Sequence, residues 1–579
     1  MKSTIKMIRA KTGLSQTKFA ILLGVSVASL RRWEAGETNP SQLARTRIVE
    51  LMSMSDTELM ALANNVTAPK EDYDVAKYET HFSWNGVNYK AHLAPYVING
   101  PSDQREFYQK LISMQEKASC SIDKTKYLKR ISLLSDVDGI ETSQFKMESP
   151  PKNAKSWSSD YGTHGFHRYV GRFPSHLIRA LINAFGVTEN DIILDPFCGS
   201  GTTLVEARMV GAKAIGVEIS PLSAIMSRVK SKFPANGIQS SDIIKDISEF
   251  YSVKWNAFIE QHDIKDISYE EILNRRGNSI PVFPNIERWF SKEALLGTSI
   301  VVEYIMQQSG YLKDFLTIAL SARMRSIGNV DVDVVRAEYR KEPRENVDVL
   351  KLVSKQIQKM AAGINNTIIA CSDVLCNGDT IDVIQGSALE ADIGENTISH
   401  IITSPPYGVE SLSYLRTHLL SFRALEPILG VDPYNFGRGI IGSEYLDRDM
   451  PDVSKFCIGQ ASPTYNLYFS KLMHSLKNTN ETKRILMMMQ FFEDMHAVID
   501  KFSHWIKNNG YVAFVIGNKR LGESIIPTDI IIKEIFEYFG FAQVDSIGHK
   551  LKTNNSNSQV PWQDRIIENE YILIFRKES

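Results

Sequence analysis

Residues 190–220 read NDIILDPFCGSGTTLVEARMVGAKAIGVEIS, and the way this stretch alternates decides the fold. Ile192, Ile193 and Leu194 form a short apolar run, the pattern of a strand buried on both faces in a parallel sheet. Asp195, Pro196, Phe197, Cys198, Gly199, Ser200 and Gly201 then turn the chain into a helix expected to start near Thr202. A second apolar run, 214–217, ends in Glu218. That acid falls about 20 residues past the glycines, where a carboxylate can accept both hydroxyls of a ribose. No Lys follows the second glycine, so the turn is not a P-loop, and the third glycine of the dinucleotide fingerprint is missing. What remains is a strand, glycine turn, helix and strand with an acid at each strand end.

Residues 400–408, HIITSPPYG, carry the other half of the reading. Ile401 and Ile402 end a strand, and Thr403, Ser404, Pro405, Pro406 and Tyr407 leave it in a stiff turn whose prolines have no N–H to donate. Carbonyls are left facing outward. The exocyclic amine of a base needs acceptors for its two hydrogens and an aromatic face to stack on, and Ser404, the Pro405 carbonyl and Tyr407 supply those parts.

Taken together, these stretches resemble motifs I, II and IV of the S-adenosylmethionine (SAM)-dependent amino-methyltransferases of DNA, the N4-cytosine and N6-adenine type. The resemblance implies a doubly wound class I methyltransferase sheet, an α/β fold. It also implies cofactor binding by Asp195, Phe197, Gly199, Ser200, Gly201 and Thr202, with Glu218 on the ribose. Residues 166–186, FHRYVGRFPSHLIRALINAFG, resemble motif X, in which Phe173 and Pro174 open a helix bordering the methionine end of SAM. Residues 385–389 occupy the place of motif III, with Gly386 bordering adenine and Ser387 where an acid is usual. The strand YVAFVIGN, 511–518, resembles motif VI.

In that family Ser404, Pro405, Pro406 and Tyr407 would be the catalytic motif, moving the SAM methyl to the amine of a base flipped out of the stack. A Ser at the first position leans towards cytosine N4, with adenine N6 the alternative. Carbon-5 methylation needs a cysteine after a proline in this motif, and Tyr407 stands there instead. Cys198, in the cofactor loop, is expected to be inert packing.

At 579 residues the chain has room for two or three domains, and its hydrophobic fraction of 43% is that of an ordinary globular protein. No apolar run approaches the ~20 residues a membrane helix needs, and the first residues lack a signal-peptide core, so a cytoplasmic location is expected. Five cysteines without paired CxxC spacing argue for free thiols rather than a disulfide frame or a metal site. The net charge is −1, so nucleic-acid binding must rest on local patches.

One such patch is residues 1–50, with nine Lys or Arg against three acids. There GLSQTKFAILLGVSVASLRRWEAGETNPS, 13–41, has helix-turn-helix spacing and looks like the Cro/repressor type of DNA-binding domain. Its second helix exposes Ser26, Ala28, Ser29, Arg31 and Arg32 to the major groove, while Trp33 reads as core.

Five regions follow. Residues 1–67 are the small all-α helix-turn-helix domain, and 68–150 a linker and accessory region with an Asn85-Gly86 hairpin. Residues 151–229 are the SAM-binding half, 230–379 a large, mostly helical insertion with a target-recognition role in view, and 380–579 the catalytic half. Beyond the prolines, Tyr414, Arg416, Thr417 and His418 are expected on a helix next to the target pocket, where Arg416 or His418 could meet a phosphate or the base, although a lone His is more often structural.

The expected function is site-specific methylation of double-stranded DNA, with a cognate restriction endonuclease as a further partner and no metal or membrane. Two other classes fit parts of the pattern: a tRNA guanine-N2 methyltransferase, and a transcriptional regulator that keeps the fold as a SAM sensor.

Overall fold

The computed structural model describes residues 160–550 and 569–579 with gaps, the chief ones at 281–282, 332–336, 372–379, 409–416, 431–436, 443–454 and 475–479. It also describes the hairpin strands 80–84 and 87–91 and parts of 2–55. In the N-terminal region helix α1 (Lys2–Thr12) contributes Ile5 and Ile8 to a small core with Phe19, Leu30, Trp33, Ile48 and Leu51. Glu34 ties this region together, accepting from Arg9 Nε at 2.6 Å and Gln16 Nε2 at 2.7 Å. Trp33 is core, as the sequence implies. Ser26, Ala28, Ser29, Arg31 and Arg32, the expected DNA contacts, lie outside the described residues.

Strands β1 (Thr80–Trp84) and β2 (Val87–Ala91) pair antiparallel with Trp84 opposite Val87, and Asn85 and Gly86 of the expected hairpin lie outside the described residues.

Helix α2 (Ser175–Ala184) precedes the main sheet, whose strands are β3 (Ile192–Asp195), β4 (Lys213–Glu218), β5 (Ile381–Gln385), β6 (Ile398–Thr403), β7 (Ile506–Gly517), β10 (Phe541–Lys550) and β11 (Asn569–Lys577). A two-stranded ribbon, β8 (Arg520–Leu521) and β9 (Ser524–Ile525), sits between β7 and β10 in the chain. The order across the sheet is β10-β11-β7-β6-β3-β4-β5. All pairings from β7 to β5 are parallel, and β11 runs antiparallel to both of its neighbours.

From β3 the chain moves outward to β4 and β5 and then returns to the opposite side of β3 as β6. The carboxyl ends of β3 and β6 therefore diverge at a topological switch point, the place where open α/β sheets hold ligands.

Alternation along the strands sends side chains into two layers, as a sheet covered on both faces requires. Ile193, Ala214 and Ile402 pack with Leu177, Ile178 and Leu181 of α2 and with Leu204 of the helix after the glycine turn, α3 (Thr202–Met209). Leu194, Val217 and Ile401 pack on the other side. The cluster there includes Met495 and Ile499 from helix α10 (Asn480–Trp505) and Ile531 and Phe536 from helix α11 (Thr528–Tyr538).

Between β4 and β5 the described residues are largely helical. They include α4 (Pro221–Ser231), α5 (Ser240–Ile259), α6 (Lys292–Met306), α7 (Gly310–Ser321) and α8 (Val349–Ala370). Ser220, Ser291 and Asp348 cap α4, α6 and α8 by accepting the N–H of the residue three further on. Phe315, Ile318 and Ala319 of α7 are buried in the cluster these helices share, whereas Ala322, just past the end of α7, is only half-buried. After β6 comes the short helix α9 (Leu419–Ala424).

Candidate functional site: a cleft at the switch point

The loop after β3 is built by backbone geometry that only glycine adopts readily. Gly199 has φ +51° and Gly201 φ +82°, and a Cβ on Gly201 would meet Ser227 Cα at 2.9 Å. Gly201 N–H donates to the Cys198 carbonyl at 2.7 Å, and Ser227 on α4 donates to the Gly199 carbonyl at 2.8 Å. Close packing of loop on helix is what the second glycine is for.

Two carboxylates hold this loop. Glu218 accepts Gly199 N–H at 2.9 Å and Ser220 N–H at 2.8 Å, so the end of β4 is bonded to the loop after β3. Asp195 accepts Phe197 N–H at 3.2 Å and the Thr403 hydroxyl at 2.7 Å. Burial pushes Glu218 up to about 7, with the Ser220 and Gly199 bonds offsetting part of the rise and the Asp195 charge adding to it. Burial likewise pushes Asp195 up to about 6 against hydrogen bonds from Thr403, Thr203 and Phe197.

A cleft of about 1060 Å³, counted with its open mouth, lies over these groups. Phe173, Asp195, Phe197, Gly199, Ser200, Thr202, Glu218, Gly386, Ser404 and Pro406 all line it. Both distant motifs thus meet at one rim. Four of the expected residues are not part of the wall. Gly201 lies behind the loop against Ser227, and Pro405 is buried. Pro174 stands one residue before α2 rather than in its first turn, its carbonyl accepting the N–H groups of Leu177 and Ile178. Tyr407 packs against both sheet cores, with its hydroxyl 3.2 Å from Ser404 Oγ.

Tyr169, also on the wall, escaped the sequence reading. Its hydroxyl lies 3.2 Å from where a Gly199 Cβ would stand. His418, which the sequence sets next to the target pocket, lines the cleft, stacks on Tyr169 at 5.7 Å and has no partner for Nε2 among the described residues. Its neighbour His167 is fixed in one tautomer. Nδ1 donates to the Arg168 carbonyl at 2.8 Å, so Nε2 accepts from the Ser321 hydroxyl at 2.9 Å. No short-range pattern signals these contacts, because they join segments far apart in the chain.

Beneath the cleft Glu206 of α3 is fully buried, accepting from Tyr161 Oη at 2.5 Å and Arg179 Nε at 2.8 Å, with His164 Nε2 at 2.7 Å. This cluster fixes the segment before α2 to the helix that follows the glycine loop. Cys198 is buried at the cleft wall, and burial together with the Glu218 and Asp195 charges pushes its thiol well up, which disfavours the reactive thiolate.

The wall suits a sulfonium amino acid joined to a nucleoside. Among the described residues Ser200 Oγ is buried without a partner, Gly386 leaves open space where a side chain would stand, and Glu218 offers ribose-accepting oxygens.

The family described as DNA methylase, of the N6/N4 amino type, matches residues 57–224, and a helix-turn-helix family matches residues 5–48. Over residues 57–224 the chain is similar to the DNA amino-methyltransferases. It is 25% identical over 478 residues to the type II methyltransferase M.BsoBI of Geobacillus stearothermophilus, covering 76% of this chain and 90% of that protein. A second relative, the type II methyltransferase M.MvaI of Kocuria varians, is 25% identical over 418 residues, 69% of this chain and 86% of the relative. A short stretch of 43 residues is 56% identical to a tRNA (guanine(10)-N2)-dimethyltransferase of Methanocaldococcus jannaschii, covering 7% of this chain and 12% of that enzyme. The long matches are thus to methyltransferases with type II names, and the tRNA enzyme shares one local segment. The family implies SAM as methyl donor. No described helix is long and apolar enough to cross a membrane.

Proposed function

We propose that this methyltransferase is site-specific for double-stranded DNA and methylates the exocyclic amine of a flipped base, with cytosine N4 favoured over adenine N6. The observation that carries the reading is the shared cleft, in which the Asp195 loop and Glu218 face the same space as Ser404 and Pro406. Bound SAM supplies an electrophilic methyl. Asp195, Phe197, Gly199, Ser200, Thr202 and Glu218 would hold it, with Phe173 and Gly386 as walls and Gly201 shaping the loop.

On the target side the Ser404 hydroxyl and the Pro405 carbonyl accept the two amine hydrogens, which turns the nitrogen lone pair away from them and towards the cofactor side. Dipoles already aimed at the amine stabilise the positive charge that develops on it. Tyr407 holds the base or the Ser404 hydroxyl in place. No covalent bond from the protein is needed, in keeping with a Cys198 whose thiolate is disfavoured. The preference for cytosine rests on Ser404 at the first motif position. Type II names among the long relatives support a restriction-modification setting with a companion endonuclease. The N-terminal helix-turn-helix would serve target search or control of the protein's own gene, through Ser26, Ala28, Ser29, Arg31 and Arg32.

The test is transfer from isotope-labelled SAM to duplex DNA or to tRNA, followed by nucleoside mass analysis. N4-methylcytosine in DNA is the expected product. N6-methyladenine would move the base, N2-methylguanine in tRNA would move the substrate class, and no transfer to either would leave a SAM-sensing regulator.

A further inference from the structure

The wall of the cleft formed by Tyr169, Arg172 and His418 continues outward into a strip of positive charge that the reaction chemistry does not use. Arg168 is exposed beside Tyr169. Arg325 lies close enough that Arg168 acts with burial to hold its guanidinium below the usual value, opposed by Asp331. Arg344 is anchored at the same corner. Its backbone N–H donates to Asn329 Oδ1 at 2.7 Å and its Nε to the Gly328 carbonyl at 3.2 Å. Gly328 in turn packs on Leu420 of α9, two residues past His418.

Arg340 adjoins Arg344, and burial and then Arg340 hold Arg344 below its usual value. Lys359, whose Nζ donates to the Gly165 carbonyl at 2.7 Å, is held low by burial, with Asp160 opposing and Arg323 and Arg172 adding to the drop. Among the described residues Arg323, Arg340 and Arg344 make no ion pair, and Arg340 meets Glu342 only through that residue's backbone carbonyl. Like charges gathered this way repel one another, and Asp160 and Asp331 offset only part of that repulsion at Lys359 and Arg325.

We infer that Arg168, Arg323, Arg325, Arg340, Arg344 and Lys359 form a cradle for the phosphate backbone of duplex DNA beside the cleft, positioning the base to be flipped. This rests on the DNA reading above and adds the surface that holds the duplex. Arginine suits the task because its planar fork keeps its charge and grips phosphate oxygens in pairs. The contacts fix register without reading sequence.

Duplex binding by the full chain, followed by fluorescence anisotropy across a salt series with S-adenosylhomocysteine present, tests the cradle. Removing one phosphate-binding side chain lowers the slope of log affinity against log salt by about 0.9. The triple variant Arg323→Gln/Arg340→Gln/Arg344→Gln should therefore flatten the slope by about 3, and Arg340→Gln alone by about 1. S-adenosylhomocysteine affinity should stay unchanged in both, which separates a weakened grip on phosphate from a damaged fold. Because the helix-turn-helix is intact in every chain compared, its own share of the slope cancels. Unchanged slopes in both variants overturn the cradle. A flattened slope in a protein whose wild type methylates no DNA would retain the cradle and sink the proposed reaction.

Discussion

The hydroxyl of Thr403 donates to Asp195 Oδ1 at 2.7 Å, a bond between residues 208 positions apart that joins the strand before the Ser404 motif to the strand before the glycine loop. Thr403 thus couples the two halves of the cleft at their base. Thr403→Val keeps the shape and removes the donor. Leaving a buried carboxylate oxygen without this partner costs about 1–3 kcal/mol. The expected result is a lower urea midpoint and weaker S-adenosylhomocysteine binding, read by chemical denaturation and calorimetry on one preparation.

Cofactor affinity should depend on pH through Glu218 and Asp195. Both sit above their ordinary values in the free protein, near about 7 and about 6, because burial disfavours their charged forms. Ribose hydroxyls donate to an ionised carboxylate better than to a protonated one, so binding favours loss of the proton. Affinity for S-adenosylhomocysteine is therefore expected to be highest above about pH 7 and to fall as pH drops through that value. Calorimetry in two buffers of different ionisation enthalpy should show proton release on binding near neutrality. A flat profile, or proton uptake, contradicts the assignment.

Gly201→Ala should be among the costliest single changes in the loop. Its φ of +82° and the 2.9 Å approach to Ser227 Cα leave a methyl group neither a conformation nor a place. A penalty of about 1–3 kcal/mol from the backbone alone is expected, with further loss from displaced α4. Equilibrium unfolding measures it, and Gly186→Ala, also at positive φ but in open space, separates the steric from the conformational part.

Glu206 carries a stability prediction with a definite sign. Burial pushes its carboxyl up, but Arg179, His164 and Tyr161 outweigh burial and leave it below its ordinary value of 4.5. A carboxylate depressed by folding stabilises the native state above its unfolded pKa, and that contribution is lost as pH falls through the depressed value. Acid unfolding should therefore steepen below about 4.5. Glu206→Ala, which strands the buried Arg179 charge, should cost about 3–5 kcal/mol at neutral pH. Thermal melts across an acid series would contradict this if the variant and wild type lost stability in parallel.

Tyr407→Ala should reduce methyl transfer while leaving S-adenosylhomocysteine binding close to wild type, since Tyr407 is outside the cofactor wall. Loss of an aromatic face for a single base is worth about 1–3 kcal/mol, roughly a 10- to 100-fold drop in turnover. Tyr407→Phe isolates the hydroxyl that faces Ser404 at 3.2 Å. Equal losses in both variants would assign the role to the hydroxyl rather than the ring.

Much of the sheet was legible because its signals are local. The apolar runs at Ile192 and Ala214, each ended by an acid, gave β3 and β4, and apolar runs alone marked Ile401 and the strand at 511–517. Spacing also placed α3 at Thr202, since a glycine turn must hand its backbone to a helix there. What stayed hidden depends on tertiary closeness. The Glu206 cluster joins residues 27 to 45 positions apart, and His167 reaches Ser321 across 154. Sequence alone leaves His418 open to a structural or a contact role. A lone histidine is usually a satisfied one, but this ring lies on the cleft wall with a nitrogen unmet among the described residues. The roles given to Ser26, Ala28, Ser29, Arg31 and Arg32 fall outside the described residues and stand on the helix-turn-helix match alone.

The placement of β11 between β7 and β10 has a consequence for synthesis. A ribosome delivers 569–577 after every other strand of the sheet, yet that strand belongs in the interior of the row, bonded on both sides. Until it emerges, β7 and β10 present bare edges that invite pairing with other nascent chains. A message truncated just short of this strand would thus yield an aggregating product rather than a weakened enzyme.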